Sequence, residues 1–123
     1  MKKILIVEDE LAYLKLLESQ LINNGYKVIE AVNGKEGFEK AKKENPDLIL
    51  LDIKMPLMDG MTMLDLLCKE KIIKKTKIII LTNLEPNDNI IKKVISDRPA
   101  YYFVKSDIKF SELLGKINDL LAD

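Results

Sequence analysis

Five polar residues follow or end apolar runs of the sequence, and their types could bind a metal ion and a phosphoryl group. They are Glu8, Asp9, Asp52, Thr82 and Lys105, at the ends of the first, third, fourth and fifth predicted strands. Each alone has an ordinary structural explanation, since an aspartate between a strand and a helix usually caps the helix and a lysine is usually solvated. Chance seldom places acids, a hydroxyl and an ammonium together, so the set is more informative than its members.

The chemistry of such a set follows from its charges. Three carboxylates in one crevice repel each other unless cations compensate. Hard oxygen ligands suit Mg²⁺, which commonly combines one or two carboxylates with a phosphate. An aspartate can be the nucleophile and form an acyl phosphate, while a metal ion and a lysine stabilise the phosphoryl oxygens. The set therefore favours phosphoryl transfer to a carboxylate.

The composition excludes several other chemistries. The chain has 123 residues and no histidine, which excludes Ser-His and Cys-His nucleophile systems and HExxH zinc sites. Its 20 basic and 20 acidic residues cancel, so no overall charge attracts nucleic acid or an anionic membrane. No apolar run approaches membrane-spanning length, and acids follow the first run too early for a signal peptide. We therefore expect a cytoplasmic protein without membrane insertion or direct binding of nucleic acid.

Apolar periodicity predicts the elements that position the polar set. Continuous apolar runs predict strands at residues 3–7, 26–32, 48–51, 78–81 and 101–104, alternating with five helices. Apolar strands joined by helical crossovers are typical of a parallel sheet covered on both faces, a doubly wound α/β domain. Functional groups of such sheets gather beyond the carboxyl ends of the strands, where the polar set stands.

Apolar residues at helical spacing identify the first and the fourth predicted helices. The first helix is expected to pack through residues at helical spacing, namely Leu11, Leu14, Leu17, Leu21 and Ile22. The fourth is predicted from Ile90, Ile91, Val94 and Ile95. No linker or low-complexity segment is visible, so we expect one domain over residues 1–123 without an appended effector region.

Four segments of the sequence resemble the receiver domain of bacterial two-component response regulators. They are residues 6–10, 50–60, 81–83 and 102–105, and the resemblance covers the whole chain. The second segment is the most specific, because Asp52 is followed by Met-Pro and then by Met-Asp-Gly at the start of a helix. The resemblance implies a stand-alone, chemotaxis-regulator-like receiver with a flavodoxin-like sheet of strand order 2-1-3-4-5 and five helices.

The resemblance also implies roles for individual residues. Asp52 would be the phosphoacceptor, Thr82 would donate to a phosphoryl oxygen and Lys105 would pair with the phosphoryl group. Mg²⁺ would be bound by the side chains of Glu8, Asp9 and Asp52 and by the backbone carbonyl of Lys54, with Asp9 as a direct ligand and Glu8 acting through water. Tyr102 resembles the aromatic switch residue that turns inward when Thr82 moves.

The implied function is phosphorelay signal transduction rather than enzymatic turnover of a separate substrate. The domain would catalyse its own phosphorylation and slow autodephosphorylation. Because the chain has no histidine, the phosphohistidine donor must belong to a sensor histidine kinase or a histidine phosphotransfer protein. Phosphorylation would switch a surface formed by the fourth helix, the fifth strand and the fifth helix, which would bind an unknown downstream protein.

Two other classes of protein share part of this pattern. An aspartyl-phosphate phosphatase also uses Asp, Mg²⁺, Thr and Lys, but it expects a second acid two residues after the nucleophile, where Lys54 stands here. A pseudo-receiver would keep the fold without phosphorylation, which the intact polar set argues against. Ser106 departs from the receiver pattern, because the family usually has a proline after the lysine. A cis Lys105-Ser106 bond would cost about 3 kcal/mol without proline, so we expect that loop to differ.

Overall fold

A computed structural model describes residues 1–71, 75–85, 87, 89 and 101–122 of the chain. The strands are β1 (Lys3–Val7), β2 (Lys27–Ala31), β3 (Leu48–Leu51), β4 (Lys77–Thr82) and β5 (Tyr101–Val104). The helices of this part of the chain are α1 (Leu11–Asn23), α2 (Gly34–Glu44), α3 (Gly60–Lys69) and α4 (Phe110–Leu121). The predicted helix on Ile90, Ile91, Val94 and Ile95 lies outside the described residues. Within the described ranges, no helix is long and apolar enough to cross a membrane.

The five strands form one parallel sheet with the order β2-β1-β3-β4-β5. This confirms the predicted doubly wound, flavodoxin-like architecture. The order reverses at β1, because β2 lies on one side of it and β3 on the other. Val7 pairs with Leu51 in the register of β1 and β3, so the residues that follow them, Glu8 and Asp52, leave the sheet as neighbours.

Each strand supplies side chains to two hydrophobic cores on opposite faces of the sheet. In β1, Leu5 and Val7 pack on one face, with α2 and α3, whereas Ile4 and Ile6 pack on the other, with α1 and α4. Successive side chains of a strand point to opposite faces, so a strand covered on both sides must be apolar at every position. The continuous apolar runs of the sequence have this origin.

The predicted packing face of α1 is only partly correct. Leu14, Leu17 and Leu21 are buried, but Leu11 and Ile22 are 61% and 54% exposed. Leu11 is the first residue of the helix and follows the end of β1, so it lies at the margin of the sheet. Ile22 is rotated by about 100° from Leu21 around the helix axis and lies outside the buried stripe.

Two glycines hold the loop after β3 close to the helices around it. The Gly60 N–H donates to the Ile53 carbonyl at 2.7 Å, and a Cβ at Gly60 would overlap the backbone carbonyl of Asp52. The Gly34 N–H donates to the Met58 carbonyl at 2.9 Å, and a Cβ there would overlap that same carbonyl. The backbone around Asp52 is therefore fixed by contacts that only glycine permits.

We expect Gly60→Ala to lower the free energy of unfolding by about 1–3 kcal/mol, because the added methyl group must displace backbone rather than a flexible side chain. Gly115→Ala is the matched control, since Gly115 lies within α4 and a Cβ there meets nothing within 4 Å. The control should be more stable than the original protein by about 0.5–1 kcal/mol, because alanine loses less backbone entropy in a helix. Urea unfolding measures both changes, and equal stability of the two variants would contradict the close approach at Gly60.

Candidate functional site

The predicted polar set meets in one pocket at the carboxyl edge of the sheet. The pocket has a volume of about 370 Å³ and is lined by Glu8, Asp9, Glu10, Asp52, Lys54, Thr82, Asn83, Leu84 and Lys105. All of the predicted site residues except Tyr102 line this pocket. The β1, β3, β4 and β5 strand ends each contribute, as expected from a parallel sheet whose functional groups gather beyond its carboxyl ends.

Asp52 is a buried carboxylate whose orientation is fixed on both sides. Its backbone N–H continues the sheet by donating to the Val7 carbonyl at 3.0 Å. Its Oδ1 accepts the Ile53 N–H at 2.8 Å, and its Oδ2 accepts a hydrogen bond from Lys105 Nζ at 3.2 Å. The carboxylate therefore has a defined rotation, with a positive charge beside one oxygen.

Lys105 forms ion pairs with two buried carboxylates. Its Nζ contacts Glu8 Oε1 as well as Asp52 Oδ2, and only 9% of its side chain is exposed. Burial alone would lower the pKa of this ammonium. The hydrogen bond to Glu8 and the charge of Asp52 outweigh burial, so the pKa of Lys105 lies above its ordinary value. The side chain therefore places a positive charge against both carboxylates of the pocket.

Glu8 is the second buried carboxylate, and its environment favours the protonated form. Burial raises the pKa of Glu8 to about 7, with a further contribution from the charge of Asp52. The hydrogen bond from Lys105 and the backbone N–H of Glu10, which donates to Glu8 Oε2 at 3.0 Å, act in the opposite direction. The raised pKa of Glu8 is therefore mainly an effect of its burial.

Asp9 is exposed at the mouth of the pocket and is not the N-cap of α1. The N-cap position belongs to Glu10, whose side chain accepts no capping hydrogen bond. The ordinary structural explanation for Asp9, a helix cap, is therefore not what the structure shows. Oxygen atoms of Glu8, Asp9 and Asp52 lie within 4.8 Å of one another, which makes this trio a candidate metal site.

Thr82 and Tyr102 contact the same residue of the chain that follows β4. Thr82 is buried, and its Oγ1 accepts the Leu84 N–H at 3.4 Å. The Tyr102 hydroxyl donates to the Leu84 carbonyl, while its ring packs against the core on the α2 and α3 face. Leu84 therefore links Thr82 to Tyr102 through two hydrogen bonds.

The backbone that carries Lys105 is held by β4 and by Asn83. The Lys105 N–H donates to the Thr82 carbonyl at 2.8 Å, and the Ser106 N–H donates to Asn83 Oδ1 at 3.2 Å. Peptide bonds in the described ranges are trans, including the Lys105-Ser106 bond. Proline has no N–H, so the usual family residue could not make the bond that Ser106 makes to Asn83.

Two residues of the site, Asn83 and Tyr13, do not follow from the sequence pattern. Asn83 belongs to a segment that resembles the receiver pattern, but its contact with Ser106 joins two loops and has no sequence signature. The Tyr13 ring lies under the Lys105 ammonium, with 4.6 Å between Nζ and the ring centroid. Tyr13 is the third residue of α1, and its spacing within that helix does not indicate a contact with a lysine that follows β5.

Two curated bacterial proteins are similar in sequence to this chain over nearly its whole length. The chain is 32% identical over 133 residues to the alkaline phosphatase synthesis transcriptional regulatory protein PhoP of Bacillus subtilis, a match covering 99% of this chain and 55% of that protein. It is 32% identical over 120 residues to the chemotaxis protein CheY of the same organism, covering 97% of each chain. The chain spans about half the length of the first two curated relatives it matches, and about a third of the next four.

Solved structures share the fold as well as the sequence. The response regulator protein TrrA of Thermotoga maritima, crystallised in complex with Mg²⁺-BeF, is 36% identical, with a TM-score of 0.82 over 98% of this chain and 100% of that one. The family model of the response regulator receiver domain matches residues 4–118, which include every residue of the pocket. The chain therefore belongs to the response regulator receiver domain family.

Proposed function

We propose that this protein is a phosphorelay receiver that accepts a phosphoryl group on Asp52 in a Mg²⁺-dependent reaction. The observation that carries the proposal is the environment of Asp52, a buried carboxylate with Lys105 at Oδ2 and two further acids beside it. A carboxylate can attack phosphorus as a nucleophile, and the ammonium beside it can then pair with the incoming phosphoryl oxygens.

The residues of the acidic trio fit a Mg²⁺ ion. Their oxygen atoms lie within 4.8 Å of one another, close to twice the Mg²⁺–oxygen distance of about 2.1 Å. Glu8, Asp9 and Asp52 bring three carboxyl groups into the pocket that Lys105 lines. Burial, with a smaller contribution from the charge of Asp52, raises the pKa of Glu8. We propose that Asp9, Asp52 and the Lys54 carbonyl bind the ion directly and Glu8 through water. The bound ion would supply positive charge to the transferring phosphoryl oxygens.

The transfer step requires only groups that the pocket and its partner supply. An Asp52 oxygen attacks the phosphorus of a phosphohistidine, the new O–P bond forms, and the P–N bond breaks so that the imidazole leaves with the electron pair. The Thr82 hydroxyl donates a hydrogen bond to one phosphoryl oxygen. Lys105 replaces part of its contact with Asp52 by a contact with another phosphoryl oxygen. Because the chain has no histidine, the donor lies on a sensor histidine kinase or a histidine phosphotransfer protein.

The signal would leave the site through Thr82 and Tyr102. Both residues contact Leu84. A shift of the Thr82 hydroxyl toward a phosphoryl oxygen would remove its hydrogen bond from the Leu84 N–H. It would thereby change the position of the Leu84 carbonyl that accepts the Tyr102 hydroxyl. The proposed output surface includes β5 and α4 together with the predicted helix outside the described residues. We propose a single domain over residues 1–123, working in the cytoplasm, that binds a downstream protein through this surface and not nucleic acid.

The phosphatase alternative is not favoured by the pocket. A phosphatase of the aspartyl-phosphate type places a second acid two residues after the nucleophile to act as general acid and base. Here that residue is Lys54, which is exposed and lines the pocket but has no carboxyl group for this role. The proposed domain catalyses its own phosphorylation and slow autodephosphorylation and turns over no separate substrate.

We expect Asp52→Asn to abolish phosphorylation, because the amide has nearly the same shape but lacks the nucleophilic charge. Incubation with acetyl phosphate and Mg²⁺, followed by intact-mass measurement, should add one phosphoryl group to the original protein and none to the variant. Asp65→Asn is the matched control, since Asp65 pairs with Lys69 on the surface of α3. Turnover of many equivalents of acetyl phosphate would instead identify a phosphatase, and no mass gain would identify a pseudo-receiver.

We expect Asp9→Ala to weaken Mg²⁺ binding by about tenfold or more, since even loss of an outer-shell partner of a metal site commonly costs that much. Phosphorylation should fall with it. Glu10→Ala is the control, because Glu10 lines the same pocket without belonging to the acidic trio. Mg²⁺ titrations followed by NMR measure both affinities. Undiminished binding by Asp9→Ala would place the ion elsewhere.

We expect the phosphorylated state to be long-lived, because hydrolysis needs a water molecule oriented in line with the Asp52–phosphorus bond. Lys54 and Leu84, which line the pocket, offer no carboxylate or amide for that purpose. The double variant Lys54→Asn with Leu84→Glu should lose its phosphoryl group about tenfold faster in Mg²⁺, whereas Lys35→Asn on the exposed surface of α2 should not. Equal decay rates of the original protein and the double variant would show that these side chains do not control water access.

A further inference from the structure

We propose that Tyr13 is a positioning residue that holds the Lys105 ammonium against Glu8 and Asp52 for phosphoryl acceptance, an inference that rests on the proposed function. The ring centroid of Tyr13 lies 4.6 Å from Lys105 Nζ, within the range of a cation–π contact. Tyr13 comes from α1, whereas Lys105 follows β5. The contact therefore joins α1 to the pocket that contains Asp52.

The ring gives the ammonium a third partner. A lysine ammonium has three N–H donors, and two of them are directed to Glu8 Oε1 and Asp52 Oδ2. The negative face of an aromatic ring attracts the positive charge of the ammonium. The ring is a weaker hydrogen-bond acceptor than a carboxylate, so it does not compete with Glu8 and Asp52 for the N–H donors. When Lys105 exchanges a carboxylate contact for a phosphoryl oxygen, the ring contact is the one that need not change.

The cavity behind the lysine shows what the ring prevents. A groove of about 180 Å³ separates α1 from α4 and is lined by Tyr13, Leu16, Leu17, Gln20, Lys105, Ile108, Phe110 and Leu113. Lys105 lines both this groove and the pocket that contains Asp52, whereas Tyr13 lines the groove and is not among the lining residues of that pocket. Tyr13 therefore lies on the groove side of the lysine. Without its ring, the flexible four-carbon stem of Lys105 would gain apolar space in which to turn away from Asp52.

This geometry assigns the role to the aromatic face and not to the hydroxyl. Tyr13→Phe keeps the face, while Tyr13→Leu keeps apolar bulk and removes the π system. We expect the rate of phosphorylation by acetyl phosphate in Mg²⁺ to fall about three- to tenfold in Tyr13→Leu and to stay near the original rate in Tyr13→Phe. Tyr101→Leu is the matched control, because it removes a cation–π contact with Lys116 away from the pocket.

A double-mutant cycle separates positioning from a general loss of structure. If Tyr13 acts through Lys105, Tyr13→Leu should have no further effect on the rate in a Lys105→Met background. An equal reduction in both backgrounds would mean that Tyr13 supports the fold rather than the lysine, and the proposal would be wrong. A Tyr13→Phe rate as low as that of Tyr13→Leu would also overturn it.

A spectroscopic measurement tests the contact without any phosphorylation. The ε-methylene protons of Lys105 adjoin the Nζ that lies over the Tyr13 ring. They should therefore resonate upfield of those of other lysines in the original protein and in Tyr13→Phe, and should lose this shift in Tyr13→Leu. Ordinary lysine shifts in the original protein would refute the positioning contact even if every variant misfolded. Failure of the original protein to accept a phosphoryl group, with the upfield shift present, would refute the proposed function and leave the contact established.

Discussion

The Lys105 ammonium lies between two carboxylates that the fold buries side by side. Glu8 and Asp52 follow β1 and β3, which pair in register, so their backbones leave the sheet next to each other. Two buried negative charges at this separation are costly unless a cation and hydrogen bonds compensate. Lys105 supplies that charge from β5, two strands away from β3, or about 10 Å across the sheet. The long lysine side chain is needed because a short cation could not span β4.

The uncharged end of β4 follows from the same constraint. Thr82 stands between the acid of β3 and the lysine of β5 in the strand order, and its side chain is buried. A charged residue there would compete with the ammonium or with the carboxylates for the same small volume. A hydroxyl can donate to one oxygen and accept from an N–H, as it does from Leu84. The site is thus a row of acid, acid, hydroxyl and ammonium in strand order.

Much of this arrangement could be predicted because the sequence of each strand, taken by itself, indicates its burial and its end. A strand buried on both faces must be apolar throughout, and its first polar residue marks the edge of the sheet, as Asp52 does. Contacts between elements that are distant in the chain have no corresponding pattern in the sequence of either element. Tyr13 under Lys105 depends on how far α1 extends along the sheet, and the exposure of Leu11 depends on where that helix begins relative to the strand ends. Spacing within α1 alone predicted neither.

The departure at Ser106 shows how the lysine keeps its place without the usual proline. Proline would restrict the backbone after Lys105, but it would remove the N–H that Ser106 donates to Asn83. That bond joins the loop after β5 to the loop after β4 and lies beside the backbone bond from Lys105 to Thr82. It is exposed to water, so its net stabilisation is modest, about 0.5–1.5 kcal/mol. Its larger effect is geometric, because the hydrogen bond fixes the loop at a second point. A proline would instead restrict the loop backbone through its ring. Residues 83 and 106 are therefore physically linked in this protein: proline at 106 would leave the Asn83 amide oxygen to water, and the loop would have to be held by the ring instead.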